Sequence, residues 1–132
     1  MGTRILVVDD ERDILNSVKE GLKRRGYDVD GYTDPLEALK DFKAHVYDLL
    51  LLDVKMPKIN GFELYKKIMK IDGNVKVCFM TAFESYRDAF RQAFPELDER
   101  RFISKPATLS KLIQHLSEEL SQPVKNPEVT QR

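Results

Sequence analysis

The stretch "DLLLL" (Asp48–Leu52) constrains the fold more than any other part of the chain. A half-exposed strand alternates apolar and polar side chains, and a surface helix carries an apolar stripe. A run of consecutive leucines does neither. It reads as a strand buried on both faces, which belongs in the middle of a parallel sheet covered by helices. The run stops at a carboxylate, in "LLLLDVKMP" (Leu49–Pro57). Burying an unpaired aspartate is expensive. Either Asp53 marks the place where the chain meets water, or the strand exists to hold it.

Short apolar runs alternate with helical patterns on either side. "RILVV" (Arg4–Val8) is a first strand, and Ile14, Leu15, Val18 and Leu22 then share one helical face up to a C-cap glycine at Gly26. "YDVDGY" (Tyr27–Tyr32) alternates as a more exposed second strand. "DPLE" (Asp34–Glu37) reads as a capping box with proline at the first helical position, with Leu36, Leu39 and Phe42 facing inward. "NGFE" (Asn60–Glu63) is a second capping box, opening a helix lined by Leu64, Tyr65, Ile68 and Met69. "VKVCFM" (Val75–Met80) is the fourth strand. Ser85 is positioned to cap a helix carrying Ala89, Phe90 and Ala93. "RFIS" (Arg101–Ser104) is a short fifth strand. Thr108 precedes a last helix with Leu109, Leu112, Ile113, Leu116 and Leu120 on one stripe. Five β/α units joined by right-handed crossovers give an α/β fold, a doubly wound five-stranded parallel sheet with five helices. Residues 1–121 form one domain, and the two prolines of "QPVKNPEVTQR" mark 122–132 as a disordered tail or the start of a linker.

The remaining composition narrows the function. Lys+Arg and Asp+Glu balance at 22 each, whereas phosphate-backbone binding asks for a basic excess, so no direct nucleic-acid binding is expected. The single cysteine, Cys78, lies within an apolar run and reads as a small buried residue. No signal-peptide core and no run of 18 apolar residues is present, which places the expected site of action in the cytoplasm, away from the membrane.

Ligands of such sheets bind beyond the carboxyl ends of the strands. Asp9-Asp10, Asp53, Thr81 and Ser104-Lys105-Pro106 stand at four of those ends. Three carboxylates on one rim repel one another, and a hard divalent cation removes the conflict. Mg²⁺ suits a few carboxylates with water and phosphate. Asp53, at the centre, is placed to attack phosphorus and form an aspartyl phosphate. Lys105 and the metal can neutralise the transferring phosphoryl oxygens, and Thr81 can donate a hydrogen bond to one of them.

Asp9-Asp10, "LLLLD" with "MP" and Gly61 following, "MTA" ending at Ala82, and "SKP" around Lys105 together resemble the receiver domain of two-component response regulators, of the chemotaxis-regulator type. The resemblance covers Met1 to about Ser121. It implies the flavodoxin-like strand order 2-1-3-4-5 and a phosphoacceptor signalling role, with transfer to Asp53 from the phosphohistidine of a histidine kinase. It further implies that Asp10, Asp53 and the backbone carbonyl of Lys55 hold Mg²⁺, with Asp9 acting through water. Phe102 would be the switch aromatic that turns inward as Thr81 moves. Lys55 and Phe83 would tune the phosphoryl lifetime, and Lys105-Pro106 would be joined by a cis peptide. Expected partners are a histidine kinase and an output domain or effector protein, with a phosphorylation-dependent dimer as the oligomeric question. "AFPELDERRF" (Ala93–Phe102) departs from the family, which closes its fourth helix with Gly-Ala just before strand 5.

Each residue has a plainer reading by itself. Asp9-Asp10 could cap a helix, Asp53 could follow a strand as a turn residue, Thr81 could be a strand-end hydroxyl, and Lys105 could be a solvated lysine. Those readings must all hold at once, at the ends of four strands. Three other functions compete. A phosphatase of the haloacid dehalogenase type also uses a strand-end Asp nucleophile but wants a second Asp two residues on, where Lys55 stands. A nucleotide-binding flavodoxin-like domain wants a glycine-rich loop after the first strand, where "VVDDERD" (Val7–Asp13) is acidic instead. A degenerate receiver would lack one of the required residue types, and none is missing.

Overall fold

The four leucines do lie at the centre. In the computed structural model, which describes residues 2–105 and 108–121, strand β3 (Leu49–Asp53) is buried along its whole length. It pairs in parallel with β1 (Arg4–Val8) on one side and β4 (Lys76–Thr81) on the other. β2 (Asp28–Tyr32) and β5 (Phe102–Ser104) are the edges, so the sheet order is β2-β1-β3-β4-β5. The alternation of side chains along β3 sorts the leucines between two cores. Leu50 and Leu52 face one layer with Phe62, Phe79, Phe90 and Phe94. Leu49 and Leu51 face the other with Leu15, Val18, Leu22, Leu112 and Leu116. Helices α2 (Pro35–Asp41), α3 (Gly61–Met69) and α4 (Tyr86–Ala93) cover the first face, and α1 (Arg12–Arg24) and α5 (Leu109–Leu120) the second. Burying a leucine stabilises by roughly 1.5–3 kcal/mol, and all four are inaccessible to solvent.

Local sequence explains most helix boundaries. Asn60 and Glu63 form the expected reciprocal box, each side chain bonded to the other's amide at 2.8 Å. At α2, Asp34 Oδ1 accepts from the Leu36 amide and Pro35 takes the first turn, so the cap is Asp34's own rather than a reciprocal one. Gly26 follows α1 with φ 91°, the left-handed conformation glycine allows. Thr108 accepts from the Lys111 amide and caps α5.

Further expectations are corrected. Leu36 is 42% exposed; Pro35 and Ala38 make the buried face of α2 instead. Ala89 is exposed and Ser85 makes no side-chain cap bond, leaving Phe90 as the buried residue of α4. Arg101 belongs to a 3-10 turn (Glu99–Arg101) that precedes β5. The unusual "AFPELDERRF" connection explains the last point: it buries Phe94 and Leu97 in the core before the turn delivers Phe102 to the sheet.

That turn also buries charge. Arg101 donates from Nε to Glu119 Oε1 at 2.7 Å and from Nη1 to the Val77 carbonyl at 3.3 Å. Lys76, at the start of β4, donates from Nζ to the Glu119 and Leu120 carbonyls at 2.8 and 3.2 Å, where a cation suits the end of a helix. The expected tail 122–132 and the Lys105-Pro106 cis peptide lie outside the described residues.

Candidate functional site

Register brings the strand-end residues together. Val8 pairs with both Leu52 and Tyr32, so the residue after β1, Asp9, lies beside Asp53 at the end of β3. Thr81 pairs with Ser104, and the Lys105 amide donates to the Thr81 carbonyl at 2.7 Å. The β3–α3 loop is held down by Gly61, whose amide donates to the Val54 carbonyl at 2.8 Å. A Cβ at Gly61 would meet the Asp53 carbonyl oxygen at 2.4 Å, closer than any side-chain carbon tolerates. Glycine is therefore required for that close approach.

The result is a cleft of about 610 Å³ lined by Asp10, Asp53, Lys55, Thr81, Phe83 and Lys105, among others. One carboxylate oxygen from each of Asp9, Asp10 and Asp53 falls within 4.8 Å of the other two. Lys105 Nζ donates to Asp9 Oδ2 at 2.9 Å and lies 3.6 Å from both Asp53 and Glu11. The other oxygen of Asp9 accepts from the Glu11 amide at 2.9 Å. Both oxygens of Asp9 are thus engaged by the protein, while Asp10 is exposed.

This crowding is costly for Asp53. Burial, then the charge of Asp9, push its carboxyl from 3.8 up to about 8 against the opposing pull of Lys105, and the hydrogen bond that the protonated Asp53 can donate to Asp10 adds to the rise. For Lys105, burial alone would lower the ammonium. Its bond to Asp9 and the charge of Asp53 outweigh that, and its pKa rises above the ordinary value. A hard cation among the carboxylates answers the unrelieved repulsion, and an all-oxygen donor set is what Mg²⁺ takes. The residues present fit that ion.

The other expected site residues are placed as follows. Thr81 is buried; its Oγ1 accepts from the Phe83 amide at 3.1 Å, which leaves its own O–H to donate. Phe83 is 47% exposed, and Lys55 Nζ stands 4.6 Å over its ring, so the two side chains bridge the mouth of the cleft. Phe102 lies on the edge strand β5, with β4 between it and Asp53. Its ring is buried against Phe90 at 5.5 Å, with the Arg87 guanidinium 4.6 Å from its centroid. Sequence reasoning does not single out Glu11, whose only signal is its place after the acidic pair. It also passes over Glu84 and Arg87, which look like ordinary charged residues of a helix start.

Comparison with known proteins agrees with this geometry. The response regulator receiver domain family matches residues 5–117. The transcriptional regulatory protein PrrA of Mycobacterium tuberculosis is 34% identical over 110 residues, 83% of this chain and 46% of that protein. The chemotaxis protein CheY of Thermotoga maritima is 31% identical over 118 residues, 89% of this chain and 97% of its own. The chain thus spans about half the length of the PrrA proteins it matches. Among solved structures, the non-phosphorylated HemR receiver domain of Leptospira biflexa superposes with a TM-score of 0.78 at 28% identity, covering 91% of this chain and 95% of the other. The response regulator TrrA of T. maritima, solved with Mg²⁺ and BeF, gives 0.72 at 34% identity, covering 89% and 98%. No described helix is long and apolar enough to cross a membrane. The chain belongs to the response regulator receiver domain family.

Proposed function

We propose that Asp53 is the phosphoacceptor. One observation carries this reading: three carboxylates, a lysine and a buried threonine from four different strand ends converge on one cleft. An Asp53 oxygen attacks the phosphorus of a histidine kinase's phosphohistidine. The new O–P bond replaces the N–P bond, and the imidazole leaves with a proton. Lys105 neutralises a phosphoryl oxygen, and the Thr81 hydroxyl donates to another. Asp10, Asp53 and the Lys55 carbonyl would hold Mg²⁺, with Asp9, already tied to Glu11 and Lys105, acting through water. When bound, the ion supplies positive charge that lets Asp53 ionise and offsets the phosphoryl charge. The chain assists only its own phosphorylation and dephosphorylation. Lys55 and Phe83, across the mouth, limit the access of hydrolytic water and so lengthen the phosphoryl lifetime.

The switch works through Thr81 and Phe102. Phe102 starts from a buried position under Arg87, so the parts left to move are the loop after Thr81 and the Arg87 cover. Residues 1–121 are the receiver domain in this reading and 122–132 a tail or the start of a linker, and the downstream partner is an output domain or effector protein. A cytoplasmic location, no direct nucleic-acid contact by this domain, and dimerisation on phosphorylation complete the proposal.

Incubation with acetyl phosphate and Mg²⁺ tests it. Intact mass is expected to rise by one phosphoryl group and to stay unchanged in Asp53→Asn. Steady turnover of a small phosphomonoester would instead identify a phosphatase.

A further inference from the structure

Beyond the acceptor cleft, one cluster of polar side chains joins two of its walls. Glu84 lies three residues after Thr81, and Ser104 lies immediately before Lys105. The Ser104 hydroxyl donates to Glu84 Oε1 at 2.8 Å. The other Glu84 oxygen pairs with Arg87 Nε. Arg87 closes the triangle, with Nη2 donating to Ser104 Oγ at 3.2 Å. The same guanidinium covers the Phe102 ring at 4.6 Å. On the same two segments, the Phe83 amide donates to Thr81 Oγ1 and the Lys105 amide to the Thr81 carbonyl.

Three hydrogen bonds and two peptide links thus close a ring from Thr81 through Phe83 and Glu84 to Ser104, Lys105 and back. We infer that Glu84 is a positioning residue for phosphorylation, fastening the loop that orients the Thr81 hydroxyl to the strand end that presents Lys105. It touches neither phosphate nor Asp53. The physical ground is that β5 is only three residues long, so its ladder bonds give the Lys105 end little support. Two donors aimed at one phosphoryl group act together only when their spacing is held. Glu84 stays charged in this position, because its bond with Arg87, then that with Ser104, hold its carboxyl below the ordinary range.

The inference rests on Asp53 being the phosphoacceptor, and the test separates the two. The rate of phosphorylation by acetyl phosphate in Mg²⁺ is followed by intact mass across a range of donor concentrations. Glu84→Ala and Ser104→Ala are each expected to lower the maximal rate about fivefold, about 1 kcal/mol of barrier, with the half-saturating donor concentration unchanged. The double variant is expected to be no slower than the slower single one, because both break one contact. Glu84→Gln and Ser104→Thr, which keep the acceptor and the hydroxyl, are expected to recover part of the rate. Arg91→Ala, which breaks the pair between Arg91 of α4 and Glu99 of the 3-10 turn, is expected to match the wild type. Hydrogen exchange at the Lys105 amide is expected to quicken in Glu84→Ala. Equal rates, faster rates, additive losses or the same loss in Arg91→Ala would overturn the positioning role while leaving the acceptor in place. A wild-type chain that takes no phosphate would overturn the acceptor and the positioning role with it.

Discussion

At the amino-terminal end of the sheet, Lys76 and Arg101 are buried around Glu119; at the carboxyl end, Asp9 and Asp53 are buried around Lys105. The first set is nearer to balance: burial and then the charge of Arg101 lower the Lys76 ammonium, but each charged head has a bonded partner. Arg101 meets Glu119 at 2.7 Å, and Lys76 meets helix-end carbonyls that carry partial negative charge. The second set is not. Asp9, Asp53 and Glu11 all lie within 3.6 Å of the same ammonium, and Asp10 adds a further carboxylate. The better balanced end holds α5 against β4. The unbalanced end keeps an excess of carboxylates, which a proton on Asp53 or a divalent cation would relieve, as the proposed function requires.

The largest effect should come from removing the centre of the unbalanced end. Asp53→Asn is expected to abolish phosphoryl incorporation in a mass assay and, in metal-free buffer at neutral pH, to leave the fold at least as stable as the wild type. The better balanced end should respond in the opposite sense. Glu119→Leu strands a buried guanidinium and is expected to cost about 3–5 kcal/mol in urea unfolding, whereas Arg101→Met combined with Glu119→Leu should recover most of it. If Glu119→Leu and the double variant lose the same stability, the ion pair is not what holds that end.

Gly61→Ala sharpens the view of the rim. Its Cβ would press on the Asp53 carbonyl, and a loss of about 1–3 kcal/mol is expected from overpacking, with slower phosphorylation. The next effect is a pH dependence. Asp53 is raised from 3.8 to about 8 in the folded state, so between those values the folded chain binds more protons than the unfolded one. Its stabilising contribution is complete below about pH 4 and is lost as pH rises through about 8. Thermal midpoints in a chelator should therefore fall from pH 5 to pH 8 relative to Asp53→Asn, and Mg²⁺ should flatten the difference. The smallest effect concerns the mouth of the cleft. Phe83→Ala is expected to shorten the phosphoprotein lifetime severalfold in a decay assay, and an unchanged lifetime would remove Phe83 from that role.

Much of this was legible in the residues. Uninterrupted leucines can only be satisfied by helices on both faces, so "DLLLL" placed β3 at the centre. Strand-end positions followed from where the apolar runs stop, which is why Asp9, Asp10, Asp53, Thr81 and Lys105 could be named together. The misjudged positions share a cause. Leu36 and Ala89 were assigned by helical periodicity, which tells which residues share a face but not how far the neighbouring layer reaches. Nothing local in the sequence links Lys76 or Arg101 to Glu119, which lies 43 and 18 residues away.

The sequence by itself determined the parallel sheet, its two apolar layers and the chemistry available at its rim, because apolar patterning and strand ends are local properties. Only the tertiary structure decided which charges are answered and which are left over. That depends on distances of a few ångströms between residues far apart in the chain, where burial multiplies every unbalanced charge.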